Sequence, residues 1–277
     1  IGGTGFLGYH LAKFFLKKNY QVTSLSLNKP KTKRFIKKVI YIKCDIGEKQ
    51  KLERKIKTTY EYIINCGGYV NHSNKKQNYK THFLGVKNLS TIFFNKKIKK
   101  FIQIGSSLEY GKISSPNFEK KLCKPQLSYG KFKFQSTKYL LDKNKKLKFP
   151  ATVIRLYQLY GPHQDKNRFI PFIISKSLNN ESYPCSEGKQ KRDFLYITDA
   201  VEGIYKALKN KKLSGRVINL GFGRPYKLKV IINKIRSKIK KGNPEFGRIK
   251  MRKEEQLVSY PNINLAKKYL NWKPKTS

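Results

Sequence analysis

The chain opens on Ile1-Gly2-Gly3-Thr4-Gly5-Phe6-Leu7-Gly8, a G-x-x-G-x-x-G turn that runs straight into an amphipathic stretch at 6–18. Glycines at that spacing suit a backbone that turns tightly and lies against a pyrophosphate, with the N–H groups of the following helix facing the negative charge. Alone, the turn is a weak sign, because any sharp turn selects glycine. The downstream segments give it weight. Short runs rich in Val, Ile, Phe and Tyr occur at 21–27, 39–43, 62–66 and 101–104, each closing near Gly, Asn, Asp or Ser, and another occurs at 151–155. Helical stretches lie between them, the clearest at 78–95 and near 129–147. Strand–helix alternation of this kind predicts an α/β fold with a doubly wound parallel sheet.

From Gly161 on, the pattern loosens and prolines accumulate, from Pro162 and Pro171 to Pro261 and Pro274. Residues 1–160 are therefore expected to form a Rossmann-like NAD(P)-binding domain. Residues 161–277 are expected to form a smaller, interleaved substrate domain over the carboxyl edge of the sheet. A strand near 194–198 is expected to return to the first domain. The first residue is not Met, and the strand expected ahead of the glycine turn is missing, so the sequence reads as a trimmed fragment.

Of the 277 residues, 62 are Lys or Arg and 16 are Asp or Glu, a net charge of +46. Such a surface attracts any polyanion. The lysines are spread along the whole chain, as in Lys96-Lys97 and Lys240-Lys241, whereas a dedicated nucleic-acid binder gathers them on one face or arm. Specific nucleic-acid binding is not expected. Cys44, Cys66, Cys123 and Cys185 form no C-x-x-C pair and no group with histidine, so neither a metal site nor a disulfide framework is expected. The simplest setting is the cytoplasm. No apolar run approaches the roughly 18 residues of a membrane span, and no membrane partner is expected.

Tyr129-Gly-Lys-Phe-Lys133 is Y-x-x-x-K, and residues four apart on a helix share a face. A positive charge beside a phenol favours phenolate, so Lys133 is expected to bring Tyr129 toward working pH as a general acid/base. In a chain this rich in lysine the spacing alone means little. Its place between the runs at 101–104 and 151–155 gives it meaning, as does Ser106-Ser107-Leu108-Glu109-Tyr110-Gly111 upstream.

Together these segments resemble the extended short-chain dehydrogenase/reductases, the nucleotide-sugar-modifying NAD(P)-dependent epimerase/dehydratase family. Further matches run the length of the chain. They are Cys44-Asp45-Ile46, Asn65-Cys66-Gly67-Gly68, His82-Phe-Leu-Gly85-Val-Lys-Asn88-Leu89, Arg155-Leu-Tyr157-Gln158-Leu-Tyr160-Gly161-Pro162, Gln190-Lys-Arg192-Asp193-Phe194-Leu-Tyr196-Ile-Thr-Asp199 and the terminal Leu270-Asn-Trp272-Lys-Pro274. On this resemblance, the family's final helix is expected to be cut off.

The resemblance implies roles. Ser106, Tyr129 and Lys133 form the catalytic triad. Gly2, Gly5, Phe6, Leu7 and Gly8 hold the cofactor pyrophosphate, and Ser26, Asn28 and Lys29 face the adenosine ribose. Asp45 and Ile46 touch the adenine. Cys66, Gly67 and Gly68 lie along the cofactor, and Tyr129, Lys133 and Tyr157 complete the set. Ser106, Ser107, Gln158, Arg168, Phe169, Arg192, Arg252 and Glu255 face a nucleotide-diphosphate sugar, with Arg192 on its pyrophosphate. His82 stands where the family usually has Asn and is read as a packing residue. NAD-specific members carry an acid at the position of Ser26. Its absence, with Lys29, Lys31, Lys33 and Arg34 following, favours NADP(H) over NAD(H). The dehydratases carry acids where this chain has Ser107 and Leu108, and Glu109, displaced by one, is expected to point elsewhere. The favoured activity is therefore 4-keto reduction of a sugar nucleotide, with 4-epimerisation as the alternative and a non-catalytic, RNA-binding or assembling member third. The two long helices resemble the family's homodimer face.

Overall fold

The computed structural model describes residues 1–69, 74–251 and 255–276. In the first part, α1 (Phe6–Lys17), β1 (Thr23–Ser26), β2 (Ile40–Lys43), α2 (Lys49–Lys55), β3 (Tyr62–Asn65), α3 (Lys75–Tyr79), α4 (Gly85–Asn95), β4 (Lys100–Ser106), α5 (Ser128–Leu147) and β5 (Ala151–Leu156) alternate as the sequence predicts. β1 pairs with β2, and β3, β4 and β5 pair in that order, all parallel. Ile1 and Gly2 bridge the two portions: Gly2 N donates to Leu25 O at 2.8 Å and Cys66 N donates to Ile1 O at 3.0 Å. The strand order therefore reverses at the glycine turn, the point at which sheets of this kind bind ligands beyond the carboxyl ends of their strands.

Helices cover both faces of this layer. Leu11 and Phe15 of α1 meet Ile102 and Ile104 of β4 and Ile154 of β5 on one side. Leu89 and Phe93 of α4 and Leu140 of α5 meet Phe101 and Val153 on the other. Apolar side chains on both sides of β4 are what a strand buried on both faces requires. Each such side chain contributes about 1.5–3 kcal/mol on full burial. The stretch at 78–95, expected as one helix, is interrupted by a wider π turn at Lys80–Leu84. Such bulges gather at functional sites, and this one carries His82.

The rest of the chain forms β6 (Gln158–Tyr160), α6 (Phe169–Leu178), β7 (Ser182–Pro184), β8 (Lys191–Arg192), β9 (Phe194–Tyr196), α7 (Ile197–Lys209), β10 (Arg216–Leu220), β11 (Tyr226–Lys227), α8 (Leu228–Ile239), β12 (Asn243–Glu245), β13 (Val258–Ser259) and α9 (Asn264–Leu270). The return strand expected near 194–198 is the short β9, and it pairs with β6 rather than with the main sheet. The strand that does join the main sheet is β10, parallel to β5. Its sequence, Arg-Val-Ile-Asn-Leu, has too short an apolar run to stand out. α7, α9 and Trp272 pack on the α1 side of the layer, while Ile173, Tyr183 and Ile232 form a small separate core under α6 and α8. No helix among the described residues is long and apolar enough to cross a membrane.

Candidate active site

The glycine turn shows which of its glycines the chain itself requires. Gly2 has a φ of +74°, and a Cβ there would stand 2.8 Å from Gly67 N. A Cβ on Gly8 would lie 2.3 Å from Gly2 O. Gly3, which the motif spacing leaves out, is equally constrained, because its Cβ would come within 2.3 Å of Ser24 Oγ. Gly5 differs: among the described residues its Cβ would meet Gly2 O alone, at 3.3 Å. That leaves an open cradle at the start of α1, whose first turn has no acidic residue and no capping side chain. The N–H groups of Phe6, Leu7 and Gly8 lack helical acceptors there, as in any first helical turn. A cofactor pyrophosphate fits this cradle by charge and by space.

The neighbouring loops are shaped by buried amides. Asn65 Nδ2 donates to Gln103 Oε1 at 2.8 Å, and Asn65 Oδ1 accepts from Gly67 N at 3.0 Å, which sets the turn Cys66-Gly67-Gly68. Burial pushes the Cys66 thiol up to about 11, so it lines the turn as a neutral group. Asn88 Nδ2 donates to Ile46 O at 2.9 Å, and a Cβ on Gly85 would come within 2.5 Å of Ile46. Gly85 and Asn88 thus seat Asp45 and Ile46 beyond β2. Asp45 itself pairs with Lys80 at 2.7 Å.

At the end of β1, Ser26 is buried, its Oγ 3.4 Å from Thr4 N and 3.4 Å from Ser24 Oγ. Asn28, Lys29 and Lys33 are exposed. Lys31 and Arg34 are a correction to the expected basic cluster. Both pair with Asp165, at 3.0 and 2.9 Å, and Arg34 also donates to His163 O. An acid distant in sequence holds the buried Arg34, while Lys31 reaches the same acid from the exposed surface.

Ser106 ends β4 and caps the 3-10 turn Ser107–Glu109, its Oγ accepting from Leu108 N at 3.2 Å. Tyr129 lies in the first turn of α5 and shares a hydrogen bond with Ser106. Lys133, one turn on, is buried; its Nζ donates to Ile104 O at 2.7 Å and lies 5.9 Å from the Tyr129 ring centroid. The structure therefore brings Ser106, Tyr129 and Lys133 together. Their charge states depart from expectation. Burial pushes the Tyr129 phenol up to about 12 against the Ser106 hydrogen bond, and it pushes Lys133 down to about 8. The phenol is kept in its neutral form and its pKa is not brought down toward working pH, because a buried site solvates charge poorly and the lysine's Nζ is held by a backbone carbonyl. His82 packs against this pair: its ring meets that of Tyr129 edge-on, with centroids 4.8 Å apart, and its Nε2 lies 3.0 Å from Tyr69 O. The signal in the sequence was its departure from the usual Asn.

On the substrate side, Gln158 is exposed just beyond β5, and Ser107 is half-buried beside Ser106. Arg168 precedes α6 close enough to Tyr129 to favour its phenolate, and Phe169 stacks on Phe194 with centroids 5.7 Å apart. Arg192 is buried and pairs with Glu255 at 2.5 Å, so two residues singled out separately meet. Arg252 lies outside the described residues. Tyr157 is buried in another direction, its hydroxyl donating to Asn117 Oδ1 at 2.9 Å. The two acids of the motif around Arg192 are clamps. Asp193 accepts from Phe222 N and Gly223 N, both at 2.7 Å, and Asp199 Oδ2 accepts from Lys275 N and Thr276 N at 3.1 and 2.9 Å.

Known proteins resemble this chain along most of its length. A sequence model of the NAD dependent epimerase/dehydratase family matches residues 1–221. CDP-abequose synthase of Salmonella muenchen is 25% identical over 98% of this chain and 90% of its own length. dTDP-D-glucose 4,6-dehydratase of Dictyostelium discoideum is 28% identical over 79% of this chain and 57% of its own length. Among solved structures, UDP-glucose 4-epimerase of Thermotoga maritima with UDP-glucose superposes with a TM-score of 0.92, covering 100% of this chain and 93% of that one at 23% identity, which speaks for the fold.

Proposed function

The chain belongs to the NAD dependent epimerase/dehydratase family, and we propose that its own reaction is reduction of a 4-keto sugar nucleotide at C4. A reduced nicotinamide cofactor, NADPH in preference to NADH, supplies the hydride when held in the glycine cradle. Tyr129 supplies the proton to the C4 oxygen, Ser106 steadies that oxygen by a hydrogen bond, and the ketone becomes an alcohol. Arg192 holds the substrate pyrophosphate, for which a guanidinium fork is suited, and Glu255 orients it. The single observation that carries this reading is the arrangement around Tyr129, whose hydroxyl is hydrogen-bonded to Ser106 and whose ring centroid lies 5.9 Å from Lys133 Nζ. Ser107 and Leu108 leave the segment without the acids that elimination of water would use.

A 4-epimerase would use the same Ser106, Tyr129 and Lys133. Arg34 is buried and held by Asp165 and His163 O, which leaves one cation fewer for a 2′-phosphate and favours that second reading. We place a homodimer contact on the outer face of α3, α4 and α5, where Tyr79 and Phe94 are 43% and 39% exposed.

Purified protein offered a panel of nucleotide 4-keto sugars should oxidise NADPH and sediment as a dimer. Protein that instead retains NAD⁺ and interconverts nucleotide sugars without added cofactor would establish the epimerase. Tyr129→Phe should cut kcat by about 10²–10⁴ with cofactor binding unchanged. Arg192→Ala should act mainly on KM, because the pyrophosphate it holds does not change in the reaction. Near wild-type turnover by Tyr129→Phe would remove the assignment.

A further inference from the structure

We infer that Glu109 is a positioning residue for the proton transfer: its buried carboxylate ties Ser106, the tyrosine-bearing helix and Arg155 into one unit and keeps a negative charge behind Tyr129. The inference rests on the reading that Tyr129 is the proton donor. In sequence, Glu109 looks like a misplaced acid, one residue away from those of the dehydratases. In the fold its side chain is fully buried. Oε1 accepts from Ser106 N at 2.9 Å, while Oε2 accepts from Thr137 Oγ1 at 2.7 Å and from Arg155 Nε at 2.9 Å. Ser106 ends β4, Thr137 lies about two turns beyond Tyr129 on α5, and Arg155 belongs to β5. One carboxylate thus joins the three elements that carry the site. Gly105 makes room for it, because a Cβ there would come within 2.5 Å of Oε1. Arg155 is held in turn, its guanidinium 4.5 Å from the centroid of the Tyr110 ring.

A buried ion pair adds little to stability, because the cost of desolvating both charges offsets their attraction. It does confer a defined geometry and a local field. The groups facing Glu109 are Ser106 from the end of β4, Arg155 from β5, Tyr129, Lys133 and Thr137 from α5, and Cys123 from the segment after β4. Tyr129 is faced by Ser106, His82, Lys133 and Arg168. In this setting the Glu109 charge favours phenol over phenolate at Tyr129 and ammonium over amine at Lys133. Those are the forms a proton donor and its neighbour need before the ketone is reduced.

Two substitutions separate the hold from the charge. Glu109→Gln keeps an acceptor for Ser106 N and removes the charge. Glu109→Asp keeps the charge and withdraws it by one methylene. Tyrosine labelled with ¹³C at Cζ, with the Tyr129 signal identified by its loss in Tyr129→Phe, reads the phenol by NMR whatever the substrate. In Glu109→Gln the Tyr129 titration should move down by about 0.5–1 unit, and the alkaline limb of kcat should move with it. In Glu109→Asp the phenol should stay in place while kcat falls about tenfold at unchanged KM. An unmoved phenol in Glu109→Gln overturns the inference, as does an undiminished kcat in Glu109→Asp. If Glu109→Gln fails to fold, the Glu109→Asp kcat alone decides. Should wild-type protein reduce no 4-keto sugar, the proposed reaction fails, and the NMR shift still decides the role of Glu109.

Discussion

A hydroxyl at Ser26 and a carboxylate in its place would treat a 2′-phosphate in opposite ways. The hydroxyl is neutral, and exposed Lys29 stands close behind it in sequence; a carboxylate would repel the phosphate and accept hydrogen bonds from a free ribose instead. Ser26→Asp should therefore weaken NADPH binding by about 10–100-fold, with NADH favoured in its place, since a like-charge pair near the surface costs about 1–3 kcal/mol. Fluorescence titration with both nucleotides checks this, and an unchanged ratio would remove Ser26 from cofactor choice. Ser106, Tyr129 and Lys133 were legible as residue types at fixed spacing. The state of their protons was not, because it depends on burial and on Glu109, and no local spacing reports either.

Single elements also carry strain that the sequence hides. β4 begins with Lys100, a side chain 1% exposed, whose Nζ donates to Asn210 O and Ser214 Oγ. Burial pushes its pKa from 10.5 down to about 8. Between pH 8 and 10.5 the unfolded chain therefore holds a proton that the folded chain has released, and stability from this group rises with pH across that window. Urea unfolding at several pH values should show this slope in the wild type and lose it in Lys100→Met. Equal slopes in the two proteins would show that Lys100 is solvated in the fold. In sequence Lys100 reads as one more surface lysine beside Lys99. The π turn at Lys80–Leu84 is similarly silent, since its residues continue a helical pattern and only packing of His82 against Tyr129 marks the break.

At the scale of the whole molecule, the net charge of +46 sets behaviour that no single residue controls. Self-repulsion opposes compaction, so added salt should raise the melting temperature. The same charge should give weak RNA retention, indifferent to sequence and falling steeply with salt, as counterion release dictates. Filter binding across a salt series measures this. A sequence-selective complex that survives physiological salt would point to a nucleic-acid partner and against a purely metabolic role.

The order of the chemistry was written in the sequence. The glycine turn, the alternation of strands and helices and the Y-x-x-x-K spacing are local patterns, and local patterns follow from backbone sterics and side-chain periodicity. Contacts between distant segments were decided only by the tertiary structure. The Arg192–Glu255 pair, the diversion of Lys31 and Arg34 to Asp165, the pairing of β10 with β5 and the turning of Glu109 onto Arg155 each join residues far apart in the chain. Which acid meets which base is settled by where the folded elements leave a buried charge, and a buried charge takes the partner that packing places within reach.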